Sequence, residues 1–325
     1  MRPFKKHYLQ ALIGASAMTL AACGGSSSDN ASGPDSDTGR LSVAVTDAPI
    51  DAANHVIVEF SAVSIKPADG EAIEFTLEEN ASIDLLSLQG SLSEALVTDE
   101  EVPAGEYEWV RLHVNAEHDG VLDSYIELDT GNQLELRVPS GSQTGLKLVS
   151  GFTVAAGGNT NITIDFDLRK SVVLPGGQAG AMLKPALRLI DNTVVGTLAG
   201  SVDAEVLTDQ CADPANEYGA VYIYSGADAT VADVSGADTD PLTTALVAQV
   251  DGGYEYEAGF LEAGDYTLAY TCGADSDDPE VVDELTFIGT SNTEIEADMT
   301  TEVNFTVDQL PTDEETASQE ETTGQ

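Results

Sequence analysis

Short runs of alternating apolar and polar residues fill the chain between Leu41 and Val307, the period-two pattern of strands with one buried and one wet face. Leu41, Val43 and Val45 share one face, and Val56, Val58 and Phe60 another, with Thr46 to Ile50 read as the turn between them. Further strands are predicted at Ile73 to Leu77, Tyr107 to Val114, Tyr125 to Leu128, Leu134 to Val138, Leu146 to Val149, Ile162 to Leu168 and Leu183 to Ile190. Only Ile83 to Leu96 has helical potential, and Gly90 interrupts it.

A second series opens near Val195. It reads as strands at Ala220 to Tyr224, Ala245 to Val250, Tyr254 to Glu257, Tyr266 to Thr271, Glu284 to Ile288, Thr293 to Met299 and Glu302 to Val307. Short strands at this spacing, divided by Gly, Pro and Asn, predict an all-β protein of two tandem β-sandwich domains, Ig-like or prealbumin-like, over 40–192 and 193–310. The segment Pro103-Ala104-Gly105-Glu106-Tyr107 is echoed by Glu262-Ala263-Gly264-Asp265-Tyr266. In each, glycine supplies the turn and tyrosine can bury its ring while its hydroxyl bonds backbone across the corner. The echo predicts related architecture in the two halves.

The first residues are of another kind. Lys5 and Lys6 precede an apolar run from Tyr8 to Ala22, too short to span a bilayer as a helix, which reads as a secretory signal over 1–22. Leu20-Ala21-Ala22-Cys23 resembles the lipobox of bacterial lipoproteins, in which Cys23 becomes the acylated first residue. Residues 23–39 are rich in Gly, Ser and Asp and read as a flexible tether; 311–325 reads as a disordered acidic tail. By the same resemblance, Gly24 rather than Asp after the cysteine implies the outer membrane, with its periplasmic and surface faces both open.

Charge narrows the partners. The chain of 325 residues carries 57 acidic and 12 basic residues, a net charge of −45. Removing the signal takes away Arg2, Lys5 and Lys6, so the remainder is more acidic still. Arg188 is the last base, and 31 carboxylates lie beyond it. Such a surface repels nucleic acid and anionic headgroups, leaving cations, envelope proteins and glycans as partners. Self-repulsion at this charge also predicts stability that rises with salt.

With Cys23 assigned to lipid, Cys211 and Cys272 remain. In an oxidising compartment an even pair reads as a disulfide, with two-cysteine metal binding the alternative. Asp165 and Asp167 flank Phe166 on one strand and share a face, with Asp47 nearby in the fold. They read as structural partners of Arg111, Arg169, Lys170 or Lys184, or as a cation site. Asp275, Asp277, Asp278 and Glu280, in a loop with Gly273 and Pro279, form a second calcium candidate, without the spacing of an EF-hand. His113 and His118 fit no zinc motif, and no Gly-x-Ser-x-Gly surrounds Ser87, Ser91 or Ser150.

Residues Leu41 to Ile190 resemble a family catalogued as domain of unknown function 4382, common in bacterial lipoproteins. The motifs are Thr46-Asp47-Ala48-Pro49; Ile83-Asp84-Leu85-Leu86-Ser87-Leu88; Pro103 to Tyr107 with Val110-Arg111-Leu112; Pro139-Ser140-Gly141 with Gly145-Leu146; Ile164-Asp165-Phe166-Asp167; and Leu183-Lys184-Pro185. The second half is similar to Ig-like or carboxypeptidase-regulatory-like modules. The resemblance implies a fold and a location but no catalytic residue. The expectation is a lipid-anchored envelope lipoprotein acting as a non-catalytic binding, adhesion or structural module. The alternatives are a calcium-dependent adhesin or assembly component, and a hydrolase using carboxylates on glycans.

Overall fold

The computed structural model describes residues 37–48, 53–138, 145–174, 180–184, 186–215 and 217–307. The predicted signal, Cys23, most of the tether and the acidic tail lie outside the described residues. Apart from short helical segments, the described chain is built of strands.

The first half contains β1 (Thr38–Ala48), β2 (Ala53–Pro67), β3 (Ile73–Asp84), β4 (Glu94–Pro103), β5 (Gly105–Val114), β6 (Tyr125–Leu128), β7 (Gln133–Arg137), β8 (Leu146–Leu148), β9 (Phe152–Val154) and β10 (Asn159–Asp167). A single helical turn, α1 (Leu168–Ser171), follows, then β11 (Val172–Val173), β12 (Ala181–Leu183) and β13 (Leu187–Asp191). One sheet has the order β13-β10-β1-β4. The other runs β11-β12-β7-β6-β2-β5-β8, with β3 added on β2 and β9 on β5. Alternation puts Leu41, Val43, Val45, Ile162, Ile164 and Phe166 of the smaller sheet against Val56, Val58, Phe60, Val63 and Ile65 of the larger. Phe60 and Phe166 meet edge to face at 6.2 Å between the sheets.

The second half contains β14 (Val195–Ser201), α2 (Ala204–Gln210), β15 (Ala220–Ser225), β16 (Thr243–Leu246), β17 (Ala248–Val250), β18 (Gly253–Glu262), β19 (Gly264–Thr271), β20 (Gly289–Ile295) and β21 (Thr300–Glu302). They form two four-stranded sheets, β17-β18-β14-β21 and β16-β15-β19-β20. Leu198 and Leu261 face Val221, Ile223, Leu268 and Tyr270 between them. A disulfide joins Cys211, just after α2, to Cys272, just after β19. The outer face of β15 and β19 is also covered: Tyr222, Tyr224 and Ala269 pack with Val234, Ala274 and Phe287 from the loops 226–242 and 272–288. Burial on both faces explains the nearly unbroken apolar runs Ala220 to Tyr224 and Leu268 to Tyr270.

Several expectations are corrected. The helix over Ile83 to Leu96 is instead the end of β3, a single 3-10 turn at Leu85–Ser87 and the start of β4, with Gly90 in a left-handed turn at φ 69°. Thr46, Asp47 and Ala48 continue β1 rather than turning. Glu284 to Ile288 alternates in sequence but pairs with no strand; it is the loop that lays Phe287 on Tyr222. The strand Thr293 to Met299 stops at Ile295, because Asp298 adopts φ 59° and Met299 is exposed.

The chain enters and leaves the first sandwich at the same end. β1 and β10 run parallel from Arg40 beside Asn159, and β13 returns antiparallel so that Asp191 lies beside Ile162. A turn with Val194 N–H bonded to Asp191 C=O then leads into β14. The far end of β10 also meets the second half, through α1. Arg169 Nη1 donates to Ala274 C=O at 2.8 Å, and Lys170 Nζ donates to Pro241 C=O at 2.9 Å. Lys184 Nζ reaches Glu280 Oε1 at 3.1 Å, and the Gly90–Ser91 turn binds Gly259 and Glu257. Touching at both ends, the two sandwiches lie side by side.

Candidate functional site

The parallel register of β1 and β10 separates the first set of predicted carboxylates. Thr46 pairs with Asp165 and Ala48 with Asp167, whereas Asp47 pairs with Phe166 and so points with it toward the core. Asp165 and Asp167 share the other face, and both are engaged. Arg188 holds Asp165 Oδ2 through Nη2 at 2.9 Å and Nε at 3.2 Å. Asp167 caps α1 by accepting the Lys170 N–H, and its other oxygen lies 3.0 Å from Lys170 Nζ. Burial pushes the Asp165 carboxyl above its ordinary range, although Arg188 opposes the shift. Asp47 is 5% exposed, and burial followed by the charges of Asp165 and Asp167 holds its pKa well above normal, opposed by the backbone N–H of Leu168.

The second acidic group is divided differently from the sequence. Asp275 is exposed, Asp278 accepts the Glu280 N–H at 3.0 Å, and Glu280 pairs with Lys184. Asp277 turns inward, 7% exposed, where its Oδ2 accepts from Tyr222 OH at 2.5 Å and from Val234 N–H at 3.3 Å. The carboxylates that meet it are Asp233 and Asp283. These were not recognised from sequence, because Asp233 arrives from the loop over β15 and no local spacing joins the two. Beside this cluster a cavity of about 310 Å³ is walled by Val172, Val173 and Leu174 of the first half and Asp275 to Glu280 of the second.

A third cluster occupies the outer face of the larger sheet. The registers align Glu74, Ser64, Arg111 and Lys147 in one row across β3, β2, β5 and β8, with Lys66 and Trp109 paired alongside. Arg111 Cζ stands 4.9 Å and Lys147 Nζ 4.7 Å from the centre of the Trp109 ring, the single tryptophan of the chain. Arg111 Nε is buried without a hydrogen-bond partner. Among the described residues no carboxylate lies within 4 Å of either cation, nor of Arg137, whereas Arg40, Lys66, Lys170, Lys184 and Arg188 each have one. The alternation Trp109, Arg111, His113 is legible in the sequence; Lys147 joins only through strand pairing.

Next to this row His113 Nε2 lies 2.7 Å from Ser64 Oγ. Glu74 approaches the same nitrogen at 3.6 Å and Ser64 itself at 3.3 Å. A serine relay needs its carboxylate on the other ring nitrogen, an arrangement this trio lacks; it is a polar cross-strand contact. His118 pairs separately with Glu135.

Residues 38–185 match the model of the family described as Domain of unknown function (DUF4382). No curated protein matches the chain. Among solved structures, the TIE protein of Bacillus anthracis is similar at 12% identity and TM-score 0.18, over 82% of this chain and 33% of that one. The minor pilin of Streptococcus agalactiae is similar at 12% identity and TM-score 0.19, over 82% and 94%. The shaft pilin of Lactobacillus rhamnosus is similar at 10% identity and TM-score 0.18, over 83% and 98%. Among the described residues, no helix is long and apolar enough to cross a membrane.

Proposed function

With residues 38–185 forming a DUF4382 domain, we propose that the protein is a non-catalytic envelope module, lipid-anchored at Cys23 in the outer membrane, that binds a carboxylate-bearing glycan on the face around Trp109. The observation that carries this reading is the unpaired state of Arg111 and Lys147. In a chain with 57 acidic residues, two neighbouring cations held against one indole without a carboxylate are charges kept for an external anion. The guanidinium fork suits a carboxylate, and Lys66 beside Trp109 adds a hydrogen-bonding group for sugar hydroxyls. The hydrolase alternative loses support because Asp165 and Asp167 are already bound to Arg188 and Lys170.

Calorimetric titration of the chain from residue 24 onward, at roughly physiological salt where the overall repulsion is screened beyond about 8 Å, tests the binding face. Polygalacturonate should bind and a neutral galactan should not. The Arg111→Ala, Lys147→Ala double variant should lose binding, while Arg40→Ala, which removes an ion pair elsewhere, should keep it. Equal binding of charged and neutral glycans, or an unaffected double variant, sinks the proposal. Anchoring is tested separately by membrane fractionation of the full chain and its Cys23→Ser variant.

A further inference from the structure

We infer that Asp233, Asp277 and Asp283 form a calcium site in the second sandwich, beside its junction with the first. Two observations meet at Asp277. Each of the three carboxylates brings an oxygen within 4.8 Å of the others, although Asp233 is 5% and Asp277 7% exposed. Asp277 also leaves Oδ1 buried with no hydrogen-bond partner among the described residues, while its Oδ2 is satisfied by Tyr222 and Val234. Three carboxylates this close repel one another strongly at low dielectric, and a buried carboxylate oxygen without a donor adds a desolvation cost.

A positive charge that acts on Asp277 is that of Arg169, whose Nη1 donates to Ala274 C=O and whose guanidinium lies over the Tyr222 ring at 5.9 Å. Three carboxylates and one guanidinium sum to −2, the charge a divalent cation neutralises. An all-oxygen donor set favours a hard cation, and ligands from two separate loops suit the irregular, adaptable shell of calcium over the strict octahedron of magnesium.

The surrounding bonds hold the ligands in place. Asp283 N–H donates to Asp233 Oδ2, Asp278 N–H donates to Asp283 Oδ2 at 2.8 Å, and Tyr222 OH orients Asp277. Asp233 comes from the loop over β15 and Asp277 and Asp283 from the loop after β19, so an ion here ties together the two segments covering that sheet. Asp275, Asp278 and Glu280, the other acids of the sequence cluster, stay outside the coordination set.

Terbium replaces calcium and emits when excited through a nearby tyrosine, and Tyr222 is hydrogen-bonded to a proposed ligand. The full mature chain, stripped with a chelator, should show tyrosine-sensitised terbium emission that calcium displaces and magnesium does not. It should also melt at a higher temperature with calcium. Asp283→Asn, at a half-buried position where an amide is tolerated, should bind terbium about tenfold or more weakly, since even supporting groups around a metal contribute that much. Circular dichroism should show this variant folded, and Glu280→Gln should behave as wild type. Absence of sensitised emission, emission unchanged in Asp283→Asn, or emission lost in Asp275→Asn instead, overturns the site.

Discussion

Tyr107 and Tyr266 make the same bond in different sandwiches. Tyr107 OH donates to Pro103 C=O at 2.8 Å and Tyr266 OH to Glu262 C=O at 2.7 Å, each four residues upstream across a glycine with positive φ, 138° at Gly105 and 156° at Gly264. Both rings are buried, so each hydroxyl has been taken from water and repaid by one backbone acceptor. Tyr107→Phe and Tyr266→Phe should each destabilise by about 1 kcal/mol, read as a lower urea midpoint at unchanged slope.

The Cys211–Cys272 bond closes a loop with sequence separation 61. On the chain-entropy account such a crosslink contributes about 4 kcal/mol, so reduction or the Cys211→Ser, Cys272→Ser double variant should lower the melting temperature. The loss should be read in the second sandwich, whose core includes both cysteines, by hydrogen exchange of β15 and β19.

Asp47, Asp165 and Asp277 all have carboxyl pKa values raised in the folded state, burial being the first cause in each. The folded chain therefore holds more protons than the unfolded one from the ordinary carboxylate range up to the raised values, and stability falls as pH rises through that window. Urea midpoints should be higher near about pH 5 than near about pH 7.5. Asp47→Asn, which cannot ionise, should flatten the difference, and an unchanged slope in that variant contradicts the assignment.

Net charge of −45 stores repulsion across the whole molecule. Sodium chloride rising from about 0.05 to about 0.5 M shortens the screening length severalfold and should raise the melting temperature. A flat or falling curve would mean that local ion pairs such as Arg188–Asp165, weakened by the same salt, outweigh the long-range repulsion.

Strands with one wet face were the most legible. Tyr125–Leu128 is found at its expected bounds, and Tyr107 to Val114 lies within β5, because their alternation is a local property. The helix α2 was not expected, since Val206 and Leu207 are its only buried positions and leave too short a pattern; Asp203 before it and Glu205 in its first turn were the available signals. Conversely, Glu284 to Ile288 alternates without being a strand, as Phe287 is half-buried by packing on Tyr222 rather than by pairing. The clusters were harder still. Asp233 with Asp283, and Trp109 with Lys147, are joined by loop placement and strand register, which no single stretch of sequence encodes.

The hairpin-like path of the chain has a mechanical consequence. Because β1 begins and β13 ends at one end of the same sheet, tension drawn between the N-terminal segment and the second sandwich would load β13 at its exposed end and open its bonds to β10 one after another, as a zipper opens. Arg169 and Lys170, clasping the second sandwich at the opposite end, resist the hinge motion that such peeling requires. Pulling on a protein laid out this way would meet the β13–β10 ladder and the clasp as separate points of resistance.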